Sequence, residues 1–287
     1  MEIGEAVGNI VRLIGNISSS PELDSQLIVA AAIGRDRSFI LAHPEYVVSA
    51  KEATVISQYI KKRLSGQPMA YITGQKEFMG LDFLVNGHVL VPRPETETMV
   101  ELAIKSIDEK KQEALIIDIG TGSGAIIISL AKMIASQGER RCFVASDISR
   151  RALKTARKNA DINKVKVDFY RRNLLRFFPW KKYSRYRNLL ICANLPYIGQ
   201  EEYRNFPSIK CEPKKALISG RDGLSHYRRL AKQIKAIASR FSTIEAYFEI
   251  NPWQAEGMKQ IFPEGGSILD LSGQVRFWKI ERKNDQI

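Results

Sequence analysis

The sequence predicts an α/β protein, a mostly parallel sheet covered by helices on both faces and preceded by a bundle of helices. Three observations predict it. From residue 114 onward, short apolar runs alternate with helical stretches, the signature of strand-helix-strand units. A glycine-rich turn follows the first of those runs, at the end of a strand where open sheets bind ligands. Before residue 77 the chain shows helical periodicity and little else.

The front region is read first. Ile3, Val7, Ile10, Val11 and Ile14 fall at helical spacing and make one apolar stripe. A second helix has Ser20 as its cap, Pro21 in its first turn, Leu23, Leu27 and Ala31 on a shared face, and Gly34 at its end. Another carries Ala53, Ile56, Ile60 and Leu64 inward until Gly66 stops it. No residue set here suggests chemistry. Residues 1–76 are therefore expected to be a helical domain that docks a substrate or partner.

Residues 77–92 hold two short β runs around Asn86 and Gly87, a hairpin signal, and are expected to link this domain to residues 93–287. Then come the strand run ALIIDIG, a helix near 123–136, CFVASDI, a helix near 150–162, KVDFYRRN, NLLICANL, a helix near 224–240, and IEAYFEIN. The last segment, SILDLSGQVRFWKI, reads as a terminal hairpin turning at Ser272 and Gly273.

Composition narrows the class. With 287 residues, 44% of them hydrophobic, the chain can bury a proper core and is not disordered. No apolar run approaches the roughly 18 residues that cross a bilayer, and MEIGEAVGN has acids where a targeting peptide carries Arg or Lys, so a cytoplasmic protein is expected. Cys142, Cys192 and Cys211 are an odd number at wide spacing, read as buried thiols, and the three histidines are too scattered to hold a metal. Most of the net charge of +13 lies between Arg150 and Arg187, where fourteen Lys or Arg face only Asp161 and Asp168. Such a stretch could attract RNA or an acidic protein, or be a solvated helix face.

The strongest local signal is IIDIGTGSGAIIISLA, residues 116–131. Gly120, Gly122 and Gly124, with Thr121 and Ser123 between them, allow a tight turn and close approach of a ligand to the backbone. The next strand ends in Asp147, placed to accept hydrogen bonds from two ribose hydroxyls or, alternatively, to cap the following helix. The third ends at Asn173 and Leu174, an amide and an apolar neighbour that could hold an adenine edge and face. Together they describe a nucleoside-bearing cofactor. The fourth ends in Asn194-Leu195-Pro196-Tyr197.

A glycine turn, an acid after the second strand and Asn-x-Pro-Tyr after the fourth resemble the amino-group methyltransferases that use S-adenosyl-L-methionine. Over almost its whole length the chain resembles the peptide chain release factor glutamine methyltransferases. The match includes SSPELDSQLIVAAAIGRDRSFILAHPE, SGQPMAYITGQKEFMGLDF, VLVPRPETE at 89–97 and EPKKALISGRDGLSHYRRL at 212–230. The resemblance implies a class I, Rossmann-like methyltransferase fold with a mostly parallel seven-stranded sheet over residues 93–287. It implies S-adenosyl-L-methionine as cofactor and, as substrate, the glutamine of the Gly-Gly-Gln tip of release factors. It also implies that Asn194 and the Leu195 carbonyl accept hydrogen bonds from the substrate NH₂, that Pro196 stiffens the turn, that Tyr197 packs on the flat amide or base, and that Arg93 and Glu95 lie against the cofactor pocket.

The chain departs from the family at Leu195, where proline is usual, at Asn173, where an acid is common, and after Ile250, where a glycine is often found. Asn-Leu-Pro-Tyr is itself typical of rRNA adenine N6-dimethyltransferases, the alternative reading. A non-catalytic cofactor-binding relative would also fit the two changed site residues. A dehydrogenase would fit the glycine turn but leave Asn194 to Tyr197 without a role.

Overall fold

The computed structural model describes residues 1–110, 113–134, 141–205 and 210–283. They form two compact units, Met1–Gln75 and Lys76–Ile287. The smaller unit contains α1 (Ile3–Ile14), α2 (Pro21–Ile33), α3 (Arg37–Ala42), α4 (Ala50–Leu64) and α5 (Met69–Thr73). Its core draws Ile3, Ile10 and Ile14 from α1, Ile28 and Val29 from α2, and Ile56 from α4.

Three expectations for this unit need correction. In α2 the buried positions are Asp24, Ser25, Ile28, Val29 and Ala30, whereas Leu23 is exposed. Asp24 goes inward because its carboxylate accepts from Arg63 Nε of α4 at 2.8 Å and from the Ser18 hydroxyl at 2.7 Å, which compensates its burial. Ser20 occupies the cap position without a side-chain cap bond. At the end of α4, Leu64 is exposed.

The linking hairpin, β1 (Gln75–Phe78) and β2 (Leu81–Leu84), turns at Met79 and Gly80 and not at Asn86 and Gly87. A tight hairpin turn matching strand twist needs two successive positive φ angles, and Met79 and Gly80 supply +54° and +71°. Asn86 instead bonds outward, its amide donating to Thr155 Oγ1 at 3.1 Å.

The larger unit continues with α6 (Glu97–Lys110), β3 (Ala114–Ile119), α7 (Ala125–Ile134), β4 (Arg141–Asp147), α8 (Arg150–Asn163), β5 (Asp168–Arg171) and β6 (Asn188–Ala193). Then follow α9 (Gln200–Asn205), α10 (Lys214–Leu217), α11 (Ser225–Ile237), β7 (Thr243–Glu249), α12 (Ala255–Ile261), β8 (Gly266–Leu269) and β9 (Val275–Lys283). The predicted helix near 123–136 is thus found, although 135 and 136 lie outside the described residues.

Among the described residues the sheet has seven strands in the order β5-β4-β3-β6-β7-β9-β8. The first five are parallel, and β9 runs antiparallel to both β7 and β8. Alternation along β3 builds the two faces. Leu115, Ile117 and Ile119 join one core with α11 and α12 residues, and Ala114 and Ile116 join the other with α6 and α7. A strand buried on both sides must be apolar throughout, which is why ALIIDI reads as a continuous run.

Candidate active site

Chain order reverses at β3. Strands β4 and β5 lie on one side of it and β6 and β7 on the other, so the crevice at the carboxyl ends opens between β3 and β6. Register puts Asp118 beside Cys192, so the glycine turn after β3 and the Asn194 turn after β6 leave the sheet side by side. They are in contact. Gly120 has φ of +77°, and a Cβ there would lie 2.8 Å from Leu195 Cδ2.

A cavity of about 730 Å³ lies over these ends, within the size range of small-molecule sites. It brings together Gly120, Thr121, Gly122, Ser123, Asp147, Asn173, Leu174, Asn194, Leu195, Pro196 and Arg93 from the sequence-derived set. Gly124, Tyr197 and Glu95 are not among its lining residues. Gly124 serves packing: a Cβ on it would meet Ile128 Cδ1 at 2.7 Å and Ala156 Cβ at 3.2 Å, so its absence lets α8 approach the turn. Glu95 is exposed.

Asp147 is held rather than capping. Its Oδ2 accepts from Gly122 N at 3.0 Å and its Oδ1 from Ser149 N at 2.7 Å, while Ser149 itself caps α8. Each carboxylate oxygen keeps lone-pair capacity for a ligand hydroxyl. Burial raises the Asp147 pKa, opposed by those backbone N–H groups. Asp118, beneath the turn, is fully buried and is raised to about 7 by desolvation, although the Thr121 hydroxyl donates to it at 2.6 Å. A turn that exposes glycine backbone at Gly120 and Gly122 to the cavity, plus a diol-accepting carboxylate and an amide and leucine after β5, fits a nucleoside cofactor.

Residues 10–74 match the family model described as the PrmC N-terminal domain, and residues 110–202 match a methyltransferase domain model. A release factor glutamine methyltransferase of Coxiella burnetii is 35% identical over 82% of this chain and 82% of its own length. The chain belongs to the release factor glutamine methyltransferase family. Another member, from Bacillus anthracis, is 32% identical over 88% of this chain and 89% of its own. Among solved structures, the human Mettl16 catalytic domain superposes with a TM-score of 0.54 at 15% identity, covering 81% of this chain and 80% of that one. The larger unit accordingly has the class I methyltransferase fold. Among the described residues, no helix is long and apolar enough to cross a membrane.

Against that family pattern, Leu195 is 2% exposed and fills the space beside Gly120, so its side chain does packing work while its backbone keeps the acceptor. The turn is braced from the far side. Gln254 Nε2 donates to the Tyr197 carbonyl at 2.8 Å and to the Asp222 carbonyl at 3.2 Å. Gly223, at φ +75°, passes so close that a Cβ would sit 2.0 Å from the Tyr197 oxygen. These contacts give Asp222 and Gly223 of the DGLSHYRRL segment, and Gln254, a place behind the Asn194 turn.

Sequence reasoning missed several residues. Glu249, at the end of β7 and 1% exposed, accepts from the Thr96 hydroxyl at 2.6 Å, from Asn194 Nδ2 at 2.8 Å and from the Tyr197 hydroxyl at 3.3 Å. Desolvation raises it to about 6. The signal was an acid at the last position of a strand run, IEAYFE, whose other acid, Glu245, lies in its interior. Glu212, buried, accepts from Arg93 and from Val91 N, tying the PRPETE segment to residues 212–217. His226 lines the cavity with its Nδ1 on the Ser219 hydroxyl, and burial together with Arg229 lowers it to about 4. Among the described lining residues, seven Lys or Arg accompany a single carboxylate, Asp147. Of the cysteines, only Cys192 is fully buried, and Cys142 and Cys211 are half-buried and in no disulfide.

Proposed function

We propose that this chain is an S-adenosyl-L-methionine-dependent methyltransferase of the cytoplasm that modifies the side-chain amide nitrogen of the glutamine in the Gly-Gly-Gln motif of peptide chain release factors. The observation that carries the reading is the adjacency of two strand ends, with the glycine turn and Asn194 facing one cavity. Family membership and the match of residues 10–74 support the substrate.

Bound in this cavity, S-adenosyl-L-methionine would supply an electrophilic methyl group carried on a sulfonium sulfur, a good leaving group. Asp147 would accept from the ribose hydroxyls, and Asn173 and Leu174 would hold the adenine. Gly120 to Ser123 offer backbone at close range. The Asn194 Oδ1 and the Leu195 carbonyl accept from the substrate NH₂ and aim its nitrogen, Pro196 stiffens the turn, and Tyr197 supports it from behind. An amide nitrogen is a poor nucleophile, so positioning carries most of the rate enhancement. At neutral pH His226 is uncharged and a weak base, in keeping with a nitrogen that becomes acidic as it gains the methyl and needs no strong acceptor. The helical front unit docks the release factor, and the excess of cations around the cavity suits an acidic protein surface.

The test is to incubate the protein with methyl-labelled S-adenosyl-L-methionine and either a release factor or rRNA, then analyse the release factor tip by mass spectrometry. One added methyl on the glutamine is expected. Label on RNA alone would favour the adenine N6-methyltransferase reading, and tight cofactor binding with no transfer would favour a non-catalytic relative.

A further inference from the structure

Register between β6 and β7 pairs Ala193 with Phe248, so the next residues, Asn194 just past β6 and Glu249 at the end of β7, are neighbours. The Asn194 amide nitrogen donates to Glu249 Oε2 at 2.8 Å and to Thr96 Oγ1 at 3.2 Å. Thr96 spends its own proton on the same Glu249 oxygen, at 2.6 Å, so its lone pairs face Asn194. A carboxylate has no proton to give, and Thr96 has committed its only one. Both partners are therefore acceptors toward Asn194, and the amide can satisfy them only with its NH₂. An amide flipped by 180° would set a carbonyl oxygen against the carboxylate of Glu249, which is itself 1% exposed.

We infer that Glu249 is a positioning residue that, with Thr96, grips the Asn194 amide by its nitrogen and so leaves Oδ1 as the atom presented to the substrate NH₂. This rests on the reading of Asn194 given above. A freely rotating amide would offer a donor half the time, and a donor facing a substrate NH₂ repels the group it should hold. The arrangement also explains Thr96 in the PRPETE segment: it is the second acceptor of the clamp, carried in from outside the parallel strands.

The test is a double-mutant cycle with Glu249→Gln and Asn194→Ala, read as turnover of a release factor in the full-length protein. A glutamine of the same shape adds donors where the clamp needs acceptors. Glu249→Gln should lower kcat on the order of tenfold to a hundredfold, the range for losing a hydrogen bond to a charged group, with the Kd for S-adenosyl-L-methionine within about threefold. Asn194→Ala alone should lower kcat on the order of a hundredfold. In the Asn194→Ala background, adding Glu249→Gln should change kcat by less than about twofold, because the residue it acts through is gone. Thr96→Val, isosteric and lacking only the hydroxyl, should repeat the pattern with a smaller loss and serves if Glu249→Gln fails to fold by thermal unfolding.

Wild-type kcat in both clamp variants, or equal fold losses in the two backgrounds, overturns the proposal. If Asn194→Ala itself leaves kcat unchanged, the reading of Asn194 falls first, and the clamp with it.

Discussion

Replacing Gly120 by alanine tests the geometry on which the cofactor site stands. Two costs are separable. The residue sits at φ +77°, in the left-handed region, where a side chain costs about 1–2 kcal/mol. The new Cβ would also lie 2.8 Å from Leu195 Cδ2, and because Leu195 is only 2% exposed, that methyl has little room to retreat. Overpacking of this kind costs roughly 1–3 kcal/mol. The sum is on the order of 2–5 kcal/mol, or at least tenfold in cofactor affinity if the turn rather than the sheet absorbs the strain. Calorimetric titration with S-adenosyl-L-methionine measures it, with thermal unfolding as the companion. Leu195→Ala in the same protein should remove the steric part but leave the backbone part, giving a coupling of about 1–3 kcal/mol between the two positions. Wild-type affinity and melting temperature in Gly120→Ala, or strict additivity with Leu195→Ala, would refute the contact and the role assigned to the turn.

Two further outcomes are expected. Charge reversal at Arg171, Arg172 and Arg176 should slow association with the release factor and flatten its salt dependence; Arg171 and Arg172 line the cavity, so cofactor affinity must be measured alongside, and an unchanged rate and salt slope would exclude steering by this stretch. Asp118 is raised from 3.8 to about 7, so its charged form costs stability above pH 7 and that cost is relieved as pH falls from 7 toward 3.8, on the order of 4 kcal/mol in full. Urea unfolding at pH 8 and pH 5.5 should therefore show a smaller pH-dependent difference for Asp118→Asn than for the unmodified chain, and equal differences would refute the assignment.

Local signals carried much of the reading. Periodicity located the helices and strands because the periods of 3.6 and 2 are set by backbone geometry alone. The same rule erred where a partner distant in sequence decided the outcome. Leu23, Leu27 and Ala31 share a face of α2 as spacing requires, yet Arg63 of α4 and Ser18 draw Asp24 inward and turn a different face to the core. Asn86 and Gly87 spell a hairpin turn, but Met79 and Gly80 adopt it, because Asn159 of α8 engages both the N–H and the carbonyl of Leu84 and fixes where the strand ends.

The sequence by itself determined that a glycine turn, an acid, an amide and Asn-Leu-Pro-Tyr each follow a strand, since each is written in consecutive residues. That these strand ends form one cavity depended on the order of strands across the sheet. Only the placement of β6 against β3 sets Asn194 beside Gly120, and only β7 against β6 sets Glu249 beside Asn194. Thr96 and Glu249 could not be found in advance for that reason. They are separated by 153 positions, and no local spacing rule spans a contact made by chain crossover.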